Sequence, residues 1–486
     1  MSVPDLSLQT TRKKSYWINS LIVVIIMFGF GHIPAPEPMT QLGMQVVGIF
    51  IGMVYGWLFC AQAWPSALGL FALGLTDYCT IQEAIQSGWG NNTIILVVFM
   101  MAVMGVLDHA GISEWLAYKL VSSKITKGRP WVLTGIIWAA TIILSTTVSI
   151  IPLLVLMWGI IYSICEITGM EKGAKWPAIM CCATAYVGSC AFVIFPFKSL
   201  QAAVLGQYTE LSGGEAIPFT PYFVWQMMVL IVSTIVFFLF VKFVMRPDVS
   251  KIANADFVME NKAKPLTKYQ KFVLVYFVVV ILFLILPGML PKAWAITGFM
   301  NNLGVTGTGI MALALITFCG FKEGPSLKEL MGRSVSWDLI FLLMGALAIA
   351  AAMQAEETGI NAWIVATMVP LLSGKSGILV MALILLLAGL TTQVCNNLAT
   401  AVMFTPIAYN IAIASGNINM PALMLCLIGV CNVALLLPSG SAPAAMLWGN
   451  KEWCDSKTII VTGLTEAIIN LVVCIGLGVP LATLML

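Results

Sequence analysis

The sequence predicts an all-α polytopic membrane protein with about 11 transmembrane segments, two re-entrant hairpins and two broken helices. Three observations carry this. Of 486 residues, 60% are hydrophobic and 9% are charged, where a soluble domain carries about 25% charged residues. Apolar runs of about 20 residues recur along the whole chain. Two longer apolar stretches, 130–165 and 376–413, are interrupted midway by polar residues. Each is too long for a single span.

The composition also excludes function classes. A net charge of +3 comes with no basic patch interleaved with aromatics, so no nucleic-acid partner is expected. The 12 cysteines show neither metal-ligand spacing nor a disulfide framework. No nucleophile–base pair or phosphate loop appears in register, so the chain is not read as an enzyme.

In chain order, residues 1–16 form a cytoplasmic N-terminus ending in Arg12, Lys13 and Lys14. No small-residue cleavage pattern follows the apolar run 17–33, so it is a retained first span. Spans at 41–60, 66–75 and 91–107 lead to the first hairpin, 130–165. A broken helix, 175–207, and a span at 219–241 complete the first half, 17–244. A polar cytoplasmic linker, 245–267, separates it from the second half, 268–486. That half contains spans at 269–286, 305–319 and 339–353, the second hairpin, 376–413, a broken helix, 421–448, and a last span, 458–484.

Lysine and arginine placement sets the orientation. Clusters fall at 12–14, 119–129, 172–175, 242–271, 322–333 and 451–457, whereas loops 34–40, 77–90 and 209–220 contain neither residue. Placing the clusters in the cytoplasm requires each hairpin to enter and leave on one side. The first then enters from the cytoplasm and the second from outside. The N-terminus lies inside, the C-terminus outside, and the plasma membrane is the expected location.

A repeat supports this arrangement. Trp89 and Trp337 open similar segments at an offset of 248, which also aligns Gly111-Ile112 with Gly359-Ile360 and Trp115 with Trp363. Each copy runs on into a hairpin and then a broken helix. Opposite starting sides make it an inverted repeat, an architecture that places binding sites at paired helix breaks.

The polar tips carry the chemistry. The second, Thr391 to Pro406, reads TTQVCNNLATAVMFTP. Polar residues at membrane depth are costly unless they line a cavity or bind something. Freed carbonyls at a break can coordinate a cation, and helix N-termini favour an anion. Asn397, with the carbonyls of Thr392 and Cys395, is the candidate sodium ligand, while Asn396 and Thr400 are candidate contacts for a carboxylate. Interhelical polar packing is the alternative use of such residues. The first tip, LSTTVS, offers Ser145, Thr146 and Thr147. In the broken helices, Gly188 and Pro196 interrupt the first, and Pro438, Gly440, Ser441 and Pro443 the second.

Lys198 stands apart as the only Lys or Arg expected deep in a span. It needs an anionic partner, a water-filled pocket or loss of its proton. Glu466 in the last span is one possible partner; binding the substrate anion, or standing in for a cation, are the functional uses.

From about residue 40 to its end, the chain resembles the divalent anion/sodium symporters, which carry dicarboxylates, citrate or sulfate. That family has a Ser-Asn-Thr signature ten residues before a Pro-Ile pair at each hairpin tip. Pro406-Ile407 places it on Asn396, Asn397 and Leu398. The family's Gly-Thr-Pro-Pro-Asn stretch falls on Gly440, Ser441, Ala442, Pro443 and Ala444. The resemblance implies an elevator-type homodimer with a sodium site at each hairpin. Substrate is then expected on Ser145, Thr146, Asn396, Asn397, Thr400, Ser441 and Pro443, with Lys198, a departure from the family's pattern, completing the pocket, and sodium on Thr392, Cys395, Asn397 and Gly440. The first tip lacks the asparagine, so the first sodium site, at Ser145 and Gly188, is degraded. The expected function is sodium-coupled transport of a di- or tricarboxylate. The alternative is a sodium-independent exchanger or proton-coupled carrier in which Lys198 replaces a sodium ion, with sulfate or a monocarboxylate as other substrates.

Overall fold

The computed structural model describes residues 14–112, 115, 119, 126, 128–146, 149–253, 265–291, 293–319, 324–372 and 375–486. Arg12, Lys13, Thr147 and the centre of the expected linker lie outside these. The helices are α1 Lys14–Gly29, α2 Gln41–Phe59, α3 Ala63–Leu73, α4 Ile81–Trp89, α5 Asn92–His109, α6 Pro130–Ser145, α7 Ile150–Thr168, α8 Lys175–Phe192, α9 Leu200–Leu211 and α10 Phe219–Phe240. They continue as α11 Lys268–Ile285, α12 Ala295–Cys319, α13 Trp337–Gln354, α14 Ile360–Leu372, α15 Gly377–Val394, α16 Asn397–Ser415, α17 Met420–Asn432, α18 Ala442–Gly449, α19 Ser456–Val473 and α20 Val479–Met485. No strand occurs among the described residues. Eleven helical segments there are long and apolar enough to cross a bilayer, hairpin helices α7, α15 and α16 among them.

The chain divides into two compact units that cut across the sequence halves. Residues 1–94 and 337–373 form one; 95–336 and 374–486 form the other. In the first, α1 packs along α2, and α3 joins α2 to α13. The outer face of α1 exposes Trp17, Ile18, Leu21, Ile25 and Phe28, as expected of a helix whose solvent is lipid. Trp89 and Trp337, the paired openings of the repeat, meet with ring centroids 6.4 Å apart.

The repeat is also written in the backbone. Gly111 and Gly359 both adopt left-handed φ, +64° and +63°. The second helix of each hairpin likewise ends on a left-handed glycine, Gly169 after α7 and Gly416 after α16, the usual way to close a helix C-terminus.

In the second unit each broken helix packs its first leg against its own hairpin. Helix α8 lies on α6 and α7, and α17 lies on α15 and α16. The second legs cross over. Helix α9 packs on α16 of the second hairpin, and α18 packs on α7 of the first. Tyr208 and Tyr409 meet on one side of this exchange, and Tyr162 stacks on Trp453 at 4.2 Å on the other. The breaks are therefore the crossing points between the hairpins. The first legs are buried on every side, from Trp176 to Ala191 in α8 and from Ala422 to Asn432 in α17. All-round burial is the position of a helix in the centre of a bundle.

Two segments differ from expectation. Residues 81–89 form a helix, α4, where a loop was expected; Thr80 and Glu83 cap it reciprocally. Helix α12 starts ten residues before the expected 305, because Gly304 joins two helical pieces through φ 58° and ψ −169°. That conformation is essentially open to glycine alone.

Candidate functional site

Both hairpin tips and both breaks lie in the second unit. At the first tip, α6 ends at Ser145. The buried Ser145 hydroxyl donates to the Gly188 carbonyl at 2.5 Å. Gly188 has no Cβ to hold the hairpin off: one built there would lie 2.9 Å from Ile150 Cδ1 and 3.4 Å from Thr141 Cγ2. The second tip docks in the same way by different atoms. The backbone N–H of Asn397 donates to the Gly440 carbonyl at 3.0 Å. Ser145 and Asn397 are 252 residues apart, and so are Gly188 and Gly440. The two dockings are thus equivalent positions of the repeat, one made by a hydroxyl and one by an amide.

Gly440 lies in a cradle of carbonyls. A methyl group there would sit 2.9 Å from the Thr392 oxygen and 3.1 Å from those of Gln393 and Ala434. Ser441 fixes the start of α18, donating to Ala434 O at 2.7 Å and accepting from Ala444 N. Pro443, buried beside it, occupies the first turn of α18, where a missing N–H costs nothing. The Thr392 hydroxyl donates to Cys431 O at 2.8 Å, tying α15 to the end of α17.

The asparagines divide their work differently from the sequence expectation. Asn396 Oδ1 caps α16, accepting from Leu398 N at 3.0 Å and Ala399 N at 3.3 Å. Asn397 Oδ1 accepts from Leu398 N at 2.8 Å, which leaves its second lone pair free, whereas both of those on Asn396 Oδ1 are used. Cys395 is half-buried, with its N–H on Thr391 O. Thr400 is fully buried and its hydroxyl has no partner, so this side chain retains an unused donor.

Lys198 lies in the break between α8 and α9. Its ammonium donates to Ser145 O at 3.0 Å and Thr146 O at 2.7 Å. These carbonyls end α6, where the helix dipole favours a cation. The Phe192 ring lies 4.8 Å from the same nitrogen. Glu466 is not its partner: both carboxyl oxygens of Glu466 lack any hydrogen bond. Lys198 is the only charged side chain on the two tips and two breaks.

Two residues outside the expected set complete the site. Gln393 donates to Val433 O at 2.6 Å and accepts from Leu436 N at 3.1 Å, satisfying the unwound end of α17. Asn432 Nδ2 donates to Ser189 O. That bond joins the end of α17 to α8, next to Gly188. Both amides stood in the sequence as polar residues at membrane depth, the signal that found their neighbours.

The comparisons agree with this architecture. The sequence model of the citrate transporter family matches residues 57–429. The sodium-dependent dicarboxylate transporter SdcS of Staphylococcus saprophyticus is 22% identical over 461 residues, covering 90% of this chain and 86% of its own. Its counterpart from Staphylococcus aureus strain NCTC 8325 is 23% identical over 441 residues, covering 85% and 81%. In fold, the Alcanivorax borkumensis YdaH transporter superposes with a TM-score of 0.59 at 14% identity, over 96% of this chain and 97% of its own. Neisseria gonorrhoeae MtrF, described among antimetabolite efflux pumps, gives 0.58 at 13% identity, over 95% and 97%. With 373 consecutive positions inside the family's span, the chain belongs to the citrate transporter family as a divergent member of the ion-transporter fold, a secondary transporter of carboxylates and not an enzyme.

Proposed function

We propose that this protein carries a di- or tricarboxylate across the plasma membrane, coupled to sodium, by an elevator movement of hairpins and broken helices in a homodimer. The observation that supports it best is the paired docking at Gly188 and Gly440, with a lysine ammonium held on the first tip. Helices α7 and α16 both start at the tips, and helix N-termini favour anions. Lys198, the Thr400 hydroxyl, Ser441 and the polar tip residues Ser145, Thr146, Asn396 and Asn397 would meet the carboxylates, with Pro443 shaping the turn. Sodium would lie beside Gly440, on the carbonyls of Thr392 and Cys395, with Asn397 contributing its free lone pair. The relatives named sodium-dependent support the choice of ion. The lysine and arginine clusters support same-side entry of each hairpin, with the N-terminus in the cytoplasm and the C-terminus outside.

Lys198 favours a second reading of the coupling. Its ammonium takes the Ser145 carbonyl, and the Ser145 hydroxyl takes that of Gly188, so both residues expected to hold the first sodium are engaged. A built-in cation there would leave one sodium per cycle, or none in an exchanger. Uptake of labelled succinate and citrate into proteoliposomes, with sodium replaced by choline, separates the readings. Sodium-driven uptake that choline abolishes supports the symporter; undiminished uptake in choline sinks it and leaves the exchanger.

A further inference from the structure

Glu466 is the one Asp, Glu, Lys or Arg among the described residues whose side chain is fully buried, at 1% exposure. It sits in α19 on a face with Thr462 and Asn470, one turn to either side and also buried. Asn470 is satisfied by Gly429 O at 2.7 Å. Neither carboxyl oxygen of Glu466 has a hydrogen bond, and neither has the Thr462 hydroxyl. Helices α8 and α10 pack over this face. They bring the buried hydroxyls of Tyr186 and Ser233, which lie beside each other. The carboxyl lies within electrostatic reach of Tyr186, Cys182 and Cys190 on α8. The other titratable groups on packed elements are Cys181 on α8, Cys474, Cys426 and Cys431, and Tyr222 on α10. The only cations on α8 and α19, Lys175 and Lys457, are at the outer ends of those helices. A carboxylate with no donor and no cation cannot stay ionised in such a place; it neutralises instead. As a neutral acid it carries no charge that needs a partner there.

Placement gives the proton a role. Tyr186 precedes by two residues Gly188, the carbonyl on which the first hairpin docks. The acid therefore sits beneath the same helix that forms the site. We propose that Glu466 is a proton-binding site of the transport cycle, holding its proton while α19 packs on α8 and exchanging it when that packing opens to water. Coupling to transport rests on the carrier reading above, whereas protonation of Glu466 does not.

The test compares wild type with Glu466→Gln, which mimics the neutral acid. Proteoliposomes are given labelled succinate from about pH 6 to about pH 9, with a pH dye trapped inside. The wild-type to variant uptake ratio at each pH cancels the titration of succinate itself. It is expected to fall about tenfold or more toward alkaline pH as the wild type loses its proton, and proton entry with succinate is expected to be lost in the variant. A flat ratio with proton entry retained overturns the proposal. Infrared spectroscopy of the detergent-purified wild type reads the acid directly and covers a variant that fails to fold. A protonated-carboxyl band persisting at about pH 7, where ordinary carboxyls are ionised, is expected; its absence overturns the proposal. A wild type that takes up neither succinate nor citrate counts against the carrier reading, and the infrared band still decides the proton site.

Discussion

The ammonium of Lys198 lies 2.7 Å from the carbonyl oxygen of Thr146 and caps the end of α6 beside the first hairpin tip. A charge-assisted hydrogen bond contributes about 1.5–3 kcal/mol, so a variant that cannot donate a charge loses about tenfold to a hundredfold in the equilibrium it supports. Lys198→Gln is expected to lower succinate or citrate uptake by that range. Its sodium dependence is expected to change with it. Lys198→Arg keeps the charge but replaces a compact ammonium by a planar fork, and is expected to recover only part. Uptake by Lys198→Gln at wild-type rate with an unchanged sodium titration would remove the lysine from the site.

The two docking glycines make opposite forecasts. A methyl at Gly440 would press on the backbone oxygens of Thr392, Gln393 and Ala434, none of which can rotate away. Gly440→Ala is expected to cost about 1–3 kcal/mol, the range for overpacking, and to lower the melting temperature in detergent. A methyl at Gly188 meets the tip of the Ile150 side chain, which can shift rotamer. Gly188→Ala is expected to be the milder change by thermal unfolding. Equal losses for both, or a larger loss at Gly188, would mean that the cradle around Gly440 yields.

Ser145 tests the docking bond itself. Removing its hydroxyl leaves the Gly188 carbonyl buried without its donor, at a cost of about 1–3 kcal/mol. Ser145→Ala is expected to be less stable than wild type by thermal unfolding, and Ser145→Thr, which keeps a hydroxyl, is expected to lie between them. An unshifted Ser145→Ala midpoint would show that the first tip docks without this bond.

Much of this was legible in the chain because membrane proteins expose their polar breaks. The tips at Ser145 and Asn396–Asn397, the breaks around Pro196 and Gly440, and the odd lysine all appeared as polar or helix-breaking residues in apolar runs, whereas Gly188, expected to break the first helix, lies inside α8 and serves as a docking point. The capping pair Thr80 and Glu83 also stood in the sequence, yet α4 read as a loop because only Ala84 and Gly88 face inward. What could not be read was partnership. Gln393 serves carbonyls and amides 40 residues or more away, at Val433 and Leu436. Asn432 reaches across 243 residues to Ser189. Such bonds depend on the crossing of α9 and α18 between hairpins, which no local pattern encodes. The idle state of Glu466 is of the same kind: the sequence offered it as a partner for Lys198, and only packing shows that the two are not paired.

The adjacent asparagines at the second tip are expected to separate stability from ion binding. Asn396 is the N-cap of α16 and accepts from two backbone amides. Losing a cap of this type costs about 0.5–2 kcal/mol, so Asn396→Ala is expected to lower the melting temperature, and Asn396→Asp or Asn396→Ser to restore it. Asn397 is held to Gly440 through its backbone N–H, which Asn397→Ala leaves in place. Its side chain is the oxygen assigned to sodium. Asn397→Ala is therefore expected to fold with a midpoint close to wild type in sodium-free buffer, while the stabilisation gained by adding sodium shrinks. Ligand stabilisation follows RT ln(1 + [L]/Kd), so a tenfold weaker site gives up about 1.4 kcal/mol at saturating sodium. Thermal unfolding of both variants across a sodium titration, with choline holding ionic strength constant, reads the two effects independently. A sodium response intact in Asn397→Ala and lost in Asn396→Ala would exchange the roles of the two residues.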